Sequence, residues 1–244
     1  MTTERAVEGR PLVTVIVPVL QDTIALASAL RWLPPDPAVE IVVVDGAPDV
    51  HDPLLAALRA ERRDVIWSSG AAGRGAQMNA GARLATGRWL LFLHADTRLG
   101  EGWLNALRSV DAGSESVGGS FAFRLDARAR WARSIERAVA WRVRLAGLPY
   151  GDQALFVRRE IFDEMRGYRE LPLMEDVDFV RRLRRRGRLA HLAVPAVTSA
   201  RRWERDGWLR RSLRNVVLIA LYFAGTDPVR LACWYHRGPS RTSR

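Results

Sequence analysis

Trp89-Leu-Leu-Phe-Leu-His-Ala-Asp-Thr97 decides the fold. Its first five residues are apolar without polar alternation, the pattern of a strand covered on both faces. The polar group that follows falls at the strand's carboxyl end, where open α/β sheets place their ligands. Asp96 is therefore a site candidate. A carboxylate there can hold a hard divalent cation, Mg²⁺ or Mn²⁺, that bridges phosphate oxygens. In the competing reading, Asp96 and Thr97 cap a following helix.

Outward from this strand, the first half of the chain alternates two patterns. Strand-like runs at 13–17, 40–45 and 65–67 are separated by helical patterns at 25–32, 54–62 and 76–85. Strand, helix, strand, helix in this order predicts a parallel sheet with right-handed crossovers. The second half is less regular. Strands are expected at 117–123, 155–158 and 190–194, and helices at 128–145, 176–186 and 208–224. Loops at 147–151 and 171–175 interrupt them.

The polar residues at the strand ends carry the chemistry. Val42-Val-Val-Asp45-Gly46 puts a second carboxylate at the same sheet edge as Asp96, and two acids facing one crevice fit a nucleotide clasp; a helix cap is the competing reading of Asp45. No Gly-x-Gly-x-x-Gly follows the first strand, which ends Pro18-Val-Leu-Gln-Asp22, and this argues against a dinucleotide-binding Rossmann domain; no Gly-Lys-Ser/Thr occurs, which excludes a P-loop. Gly70-Ala-Ala-Gly73-Arg74-Gly75-Ala-Gln77-Met-Asn79-Ala-Gly81 opens a helix after the third strand. Its glycines allow close backbone approach to a ligand, and Arg74 offers a fork suited to phosphate. A plain loop has the same composition. Gly151-Asp152-Gln153 and Met174-Glu175-Asp176 add later acids. A carboxylate at a helix head can serve as a general base, and acids are also favoured there by the helix dipole alone. His94 and His191 lack companions at ligand spacing, so zinc is not expected.

The chain has 244 residues, 48% of them hydrophobic, enough for one large α/β domain. The reading divides it into a flexible tail at 1–10, the domain at 11–225, and a C-terminal helix with a basic tail at 226–244. One cysteine rules out a disulfide scaffold and makes the cytoplasm the default address. The N-terminus lacks the apolar core of a signal peptide, and no stretch reaches the roughly 18 apolar residues of a spanning helix. All 38 basic residues are arginine, and the formal charge is +11. Arginine clusters at 181–188 and 201–214 attract phosphates or anionic lipid headgroups, and they also fit solvated helix faces. The apolar run 216–224 beside them either packs on the sheet or lies on the inner face of the cell membrane as a peripheral contact.

In sequence order, six stretches resemble the family 2 glycosyltransferases, which use the GT-A fold. They are Val15-Ile-Val-Pro18-Val-Leu, Glu40-Ile-Val-Val-Val-Asp45-Gly46, Gly73-Arg74-Gly75-Ala-Gln77-Met-Asn79-Ala-Gly81-Ala, Leu91-Phe-Leu-His94-Ala-Asp96-Thr97, Pro149-Tyr-Gly151-Asp152-Gln153 and Leu173-Met-Glu175-Asp176-Val. Their particular wording is similar to a bacterial subgroup called arsenosugar-biosynthesis-type glycosyltransferases. The resemblance implies a GT-A fold: a Rossmann-like, mostly parallel central sheet flanked by helices, with a helical C-terminal segment. It implies a nucleotide-sugar donor, expected to be a UDP-sugar, a small-molecule or lipid acceptor, and Mg²⁺ or Mn²⁺. By position it assigns Pro18, Val19, Asp45, Arg74, Gln77, Asn79, His94 and Ala95 to nucleotide-sugar binding, Asp96 to the metal, and Asp176, Glu175 and Asp152 to catalysis. Asp176 is the implied base of an inverting single displacement. Two departures stand out. His94 replaces the first acid of the family's Asp-x-Asp, and Asp45-Gly-Ala-Pro48-Asp49 replaces the usual Gly-Ser turn.

Two rival readings differ in class. An arginine-rich RNA-binding module would leave the sheet-edge acids unexplained, so no nucleic acid partner is expected. A catalytically degenerate nucleotide-binding protein would account for His94.

Overall fold

The computed structural model describes residues 9–236. The proposed tail at 1–10 falls outside them except for its last two residues, and the basic tail falls outside them from residue 237 onward. At the centre lies β1 (Val13–Val19), buried along its whole length, with β2 (Val39–Asp45) and β4 (Trp89–Phe92) parallel on either side. β3 (Val65–Ser69) pairs in parallel with β2. The helices α1 (Thr23–Arg31), α2 (Pro53–Glu61) and α3 (Arg74–Leu84) connect these strands. This half follows the expected strand and helix alternation.

The second half continues the same sheet beyond β4. β7 (Leu155–Arg158) joins antiparallel, then β6 (Gly118–Leu125), β8 (Leu189–Thr198) and β5 (Thr97–Leu99), giving the order β3-β2-β1-β4-β7-β6-β8-β5. β6 pairs antiparallel with β7 and parallel with β8, and β5 pairs antiparallel with β8. The sheet as a whole is mostly parallel. Helices cover both faces: Val13, Val15 and Val17 point to one apolar cluster with Leu26 and Leu30 of α1 and Leu55 and Leu58 of α2. Ile16 of β1 points to the other, with Met78 of α3 and Phe179 and Leu183 of α7 (Glu175–Leu183). Successive side chains of a strand leave on opposite faces, so a run without polar alternation is what this double cover requires.

The long helix expected at 128–145 is α5 (Arg130–Ala146), and α9 (Trp208–Phe223) and α10 (Pro228–His236) close the chain. Four elements carry weaker sequence signals: β5, α4 (Trp103–Gly113), α6 (Arg159–Glu164) and α8 (Arg201–Asp206). β5 has three residues, and α4 starts from Gly102 in a left-handed conformation with no side-chain cap. Periodicity needs length, and a helix start without a capping side chain has no local marker. Among the described residues no helix is long and apolar enough to cross a membrane.

Candidate active site

Thr97 begins a strand directly, so Asp96 and Thr97 cap no helix. Nor does Asp45 cap α2, whose N-cap is Asp52, accepting the N–H groups of Leu54 and Leu55. His94, Ala95 and Asp96 instead form the turn between β4 and β5, with Thr97 N–H donating to His94 O at 2.9 Å. This turn lies in the floor of a cleft at the carboxyl ends of the parallel strands.

The cleft has two adjoining compartments. The first, about 350 Å³, is lined by Pro18, Arg74, Gln77, His94, Ala95, Asp96 and Glu175, with Arg202 and Tyr235 at its side. The second, about 420 Å³, shares Arg74, His94, Asp96, Glu175, Arg202 and Tyr235 and adds Tyr150, Asp152 and Asp176. Its remaining wall is largely apolar and comes from Ile135 and Val139 of α5, Trp203 of α8, and Val216 and Ile219 of α9.

Three of the sequence-predicted residues hold the cleft rather than line it. Asp45 ends β2 opposite Val19. It is buried, accepts the Ala47 N–H at 2.9 Å, and pairs with Arg59 at 3.3 Å. Val19 packs in the core and offers its carbonyl to Gln77. Asn79 is engaged with the backbone of Tyr168, donating at 2.9 Å and accepting at 2.8 Å. Gln77 does both jobs. It lines the first compartment, and its amide donates to Val19 O and Val44 O, each at 2.8 Å, clamping the ends of β1 and β2 together.

The acids meet around the Tyr150–Gln153 loop. Asp176 Oδ2 accepts the Gly151 N–H at 2.7 Å, and its Oδ1 accepts the Val177 N–H at 2.8 Å. Gly151 is wedged there: a Cβ would lie 3.0 Å from His94 Nε2 and 3.2 Å from Asp176 Oδ2. Arg142 of α5 stacks 3.5 Å from the Tyr150 ring centroid and donates to Gln153 Oε1 at 3.1 Å, while Gln153 donates to Phe121 O at 3.2 Å. Thr198 of β8 holds the Asp152 carbonyl at 3.2 Å. Residues of α5, α7, β6 and β8 therefore hold this loop and the Asp176 carboxylate in one place.

Burial sets the charge states. Desolvation, reinforced by Asp176 and Asp96 and opposed by Arg142, pushes Asp152 up to about 6. Its Oδ1 is buried without a hydrogen-bond partner among the described residues. Glu175, 3.7 Å from Arg74, is pushed up to about 7 by burial and then by Asp176, against the pull of Arg74. Burial, then Arg74 and Arg202, hold His94 well below its ordinary value, so its ring is neutral near pH 7.

The donor set suits a divalent cation of one kind only. No group of three or more His, Cys, Asp or Glu side chains among the described residues could cage a metal. Asp96 is a single carboxylate beside a neutral imidazole, with Arg202 at 3.9 Å. Such a site fits a cation that takes one carboxylate and completes its shell with phosphate oxygens and water, as Mg²⁺ does. The sequence offers no separate signal for Arg202, Tyr235 or Arg142, and Tyr150 enters only within the stretch 149–153. Arg202 lay within a marked arginine cluster, but nothing local distinguishes it from its neighbours.

The sequence matches the family model described as "Glycosyl transferase family 2" over residues 14–186, well over half of the chain. No curated protein matches it. Among solved structures, S. aureus TarS 1-349 in complex with UDP-GlcNAc aligns with a TM-score of 0.56 at 17% identity, covering 77% of this chain and 58% of that one. The complex of TarS 1-349 with UDP gives 0.57 at 18% identity, covering 77% and 60%. TarS 1-349 alone gives 0.56 at 15% identity, covering 90% and 68%. At these identities the likeness is one of fold. This chain spans about three fifths of the length of the two TarS complexes.

Proposed function

Because the chain belongs to glycosyl transferase family 2 and has its GT-A fold, we propose that it is an inverting glycosyltransferase of the hexosyl type. It moves a sugar from a UDP-sugar to a hydroxyl or carboxyl of a small-molecule or lipid acceptor. The observation that carries this reading is the convergence of Arg74, Asp96, Asp152, Glu175 and Asp176, from four separate stretches of chain, on one cleft. The wording of its motifs supports placement in the arsenosugar-biosynthesis-type subgroup. The single cysteine supports a cytoplasmic address.

In this reading the first compartment takes the nucleotide. Pro18, Val19, Asp45 and Gln77 frame the base and ribose, with Ala95 and His94 below, and Asn79 steadies the helix that carries Gln77. Arg74 and Arg202 face the diphosphate, and the neutral His94 adds no competing charge. Asp96 would hold the cation, which when bound offsets negative charge building on the diphosphate as it leaves. Glu175 positions Arg74.

The second compartment takes the acceptor. Asp152, whose Oδ1 has no partner among the described residues, accepts a hydrogen bond from a second hydroxyl of the acceptor and so aims the reacting oxygen at the donor. Asp176 takes the proton as the acceptor oxygen bonds to the anomeric carbon and the bond to the diphosphate oxygen breaks. One base suffices, because the diphosphate leaves without protonation.

The test is UDP binding with and without Mn²⁺, joined to slow hydrolysis of UDP-sugars in the absence of acceptor. Binding strengthened by Mn²⁺, together with hydrolysis, is the expected result. Binding indifferent to metal and no turnover of any nucleotide sugar would instead mark a degenerate site. With Asp176→Asn, turnover falls about 10²–10⁴-fold while the Kd for UDP stays unchanged. Equal loss of both would make Asp176 structural.

A further inference from the structure

The far side of the second compartment's wall is as informative as its lining. On α9, Leu209, Leu213, Val216, Ala220 and Phe223 follow at intervals of four, three, four and three residues, which places them on one helix face. That face is open to solvent. Leu209 is 68% exposed, Leu213 60% and Val216 62%, whereas Leu218 and Arg211 on the other side are buried. Across the compartment, Trp141 and Leu145 of α5 are 61% and 76% exposed, one turn from Ala138 and Arg142, which line the cavity. On α10, Val229 and Trp234 are exposed as well.

Charge accompanies the apolar residues. Neither α9 nor α10 contains an acid, and the one acid of α5, Glu136, is buried between Arg124 and Arg133 at 2.8 Å each. Arg130, Arg137, Arg144, Arg210 and Arg230 are exposed. An apolar helix face with tryptophan and flanking arginine is the composition that partitions into the headgroup region of a bilayer.

We propose that the outward face of α5, α9 and α10 docks on an anionic lipid bilayer, with the apolar stripe of α9 in the headgroup layer and the arginines on the lipid phosphates. A second copy of the chain is disfavoured as occupant, because it would set arginine against arginine. An RNA strand is disfavoured because Leu209, Leu213, Val216 and Ala220, most of the stripe, offer no ring for base stacking and would lie against a charged backbone. Val216 belongs to both the stripe and the cavity lining, so the face runs up to the mouth of the second compartment. The proposal does not depend on the reaction assigned to the cleft.

Co-sedimentation of the full chain with vesicles tests it, using phosphatidylcholine alone and phosphatidylcholine with phosphatidylglycerol. Binding to the anionic vesicles only, weakening as salt rises, is expected. Leu213→Ser with Phe223→Ser lowers the partition coefficient at least tenfold. Arg210→Gln, which leaves the stripe intact, lowers it about fivefold. Both variants keep the parent circular dichroism spectrum and UDP affinity. No binding to anionic vesicles at low salt, or binding unchanged in both variants, overturns the proposal. So does a wild-type dimer that the double variant dissociates.

Discussion

Gly151 is the residue on which the cleft's geometry turns. Its missing side chain lets His94 and Asp176 approach from two sides, and its N–H holds the Asp176 carboxylate. Gly151→Val would push both away, and misplacement by an ångström costs about 10²-fold in rate. The expected outcome is a fall in turnover of that size with a melting temperature changed by only a few degrees. The raised acids give a second prediction. Between its ordinary 4.5 and about 7, Glu175 is protonated in the folded state and ionised in the unfolded one. The folded state then binds more protons at this group, so its contribution to stability falls as pH rises across this window. Asp152 adds the same sign of slope between 3.8 and about 6. The neutral His94 contributes the opposite slope below 6.5, so the test is a difference: in urea titrations from pH 4 to 8, Glu175→Gln should gain stability relative to the parent as pH rises from about 4.5 to 7.

At the scale of elements, α3 is the piece that brings chemistry to the sheet. It lies close on β1 and β2 because Gly81 presents no side chain: a Cβ there would stand 2.5 Å from Ile16 Cγ2 and 3.2 Å from Val44 Cγ2. This closeness lets Gln77 clamp the two strand ends and brings Arg74 to the cleft. Gly81→Val should therefore destabilise the fold by about 1–3 kcal/mol, read from the urea midpoint, and raise the KM for the nucleotide sugar more than it lowers kcat. The sequence marked α3 by its small residues, yet the use of Asn79 was not legible. Its partner, Tyr168, lies far along the chain.

The whole molecule sets the two compartments apart. The family match ends at residue 186, while Arg202, Trp203, Val216 and Tyr235, which complete the cleft, come later. α10 is held by Leu231, packed with Leu218, Met174 and Val177 at the head of α7, and by Tyr235 against Arg211. Leu231→Ala should lower stability by about 2–4 kcal/mol and raise the KM for acceptor more than that for donor, which steady-state kinetics with both substrates varied would resolve. The run Trp89–Phe92 and its β-branched neighbours determined the parallel half-sheet, because burial on both faces leaves no room for polar alternation. The resemblance carried by the motifs sets the expectation that Asp96 and Asp176 share a site, and both line the second compartment. Tertiary structure alone decided that Asp45 and Asn79 hold the frame, that Arg202 faces Asp96, and that Asp152 keeps a buried oxygen without a partner among the described residues. A side chain's role depends on what surrounds it in space, and those neighbours come from segments that local pattern cannot bring together.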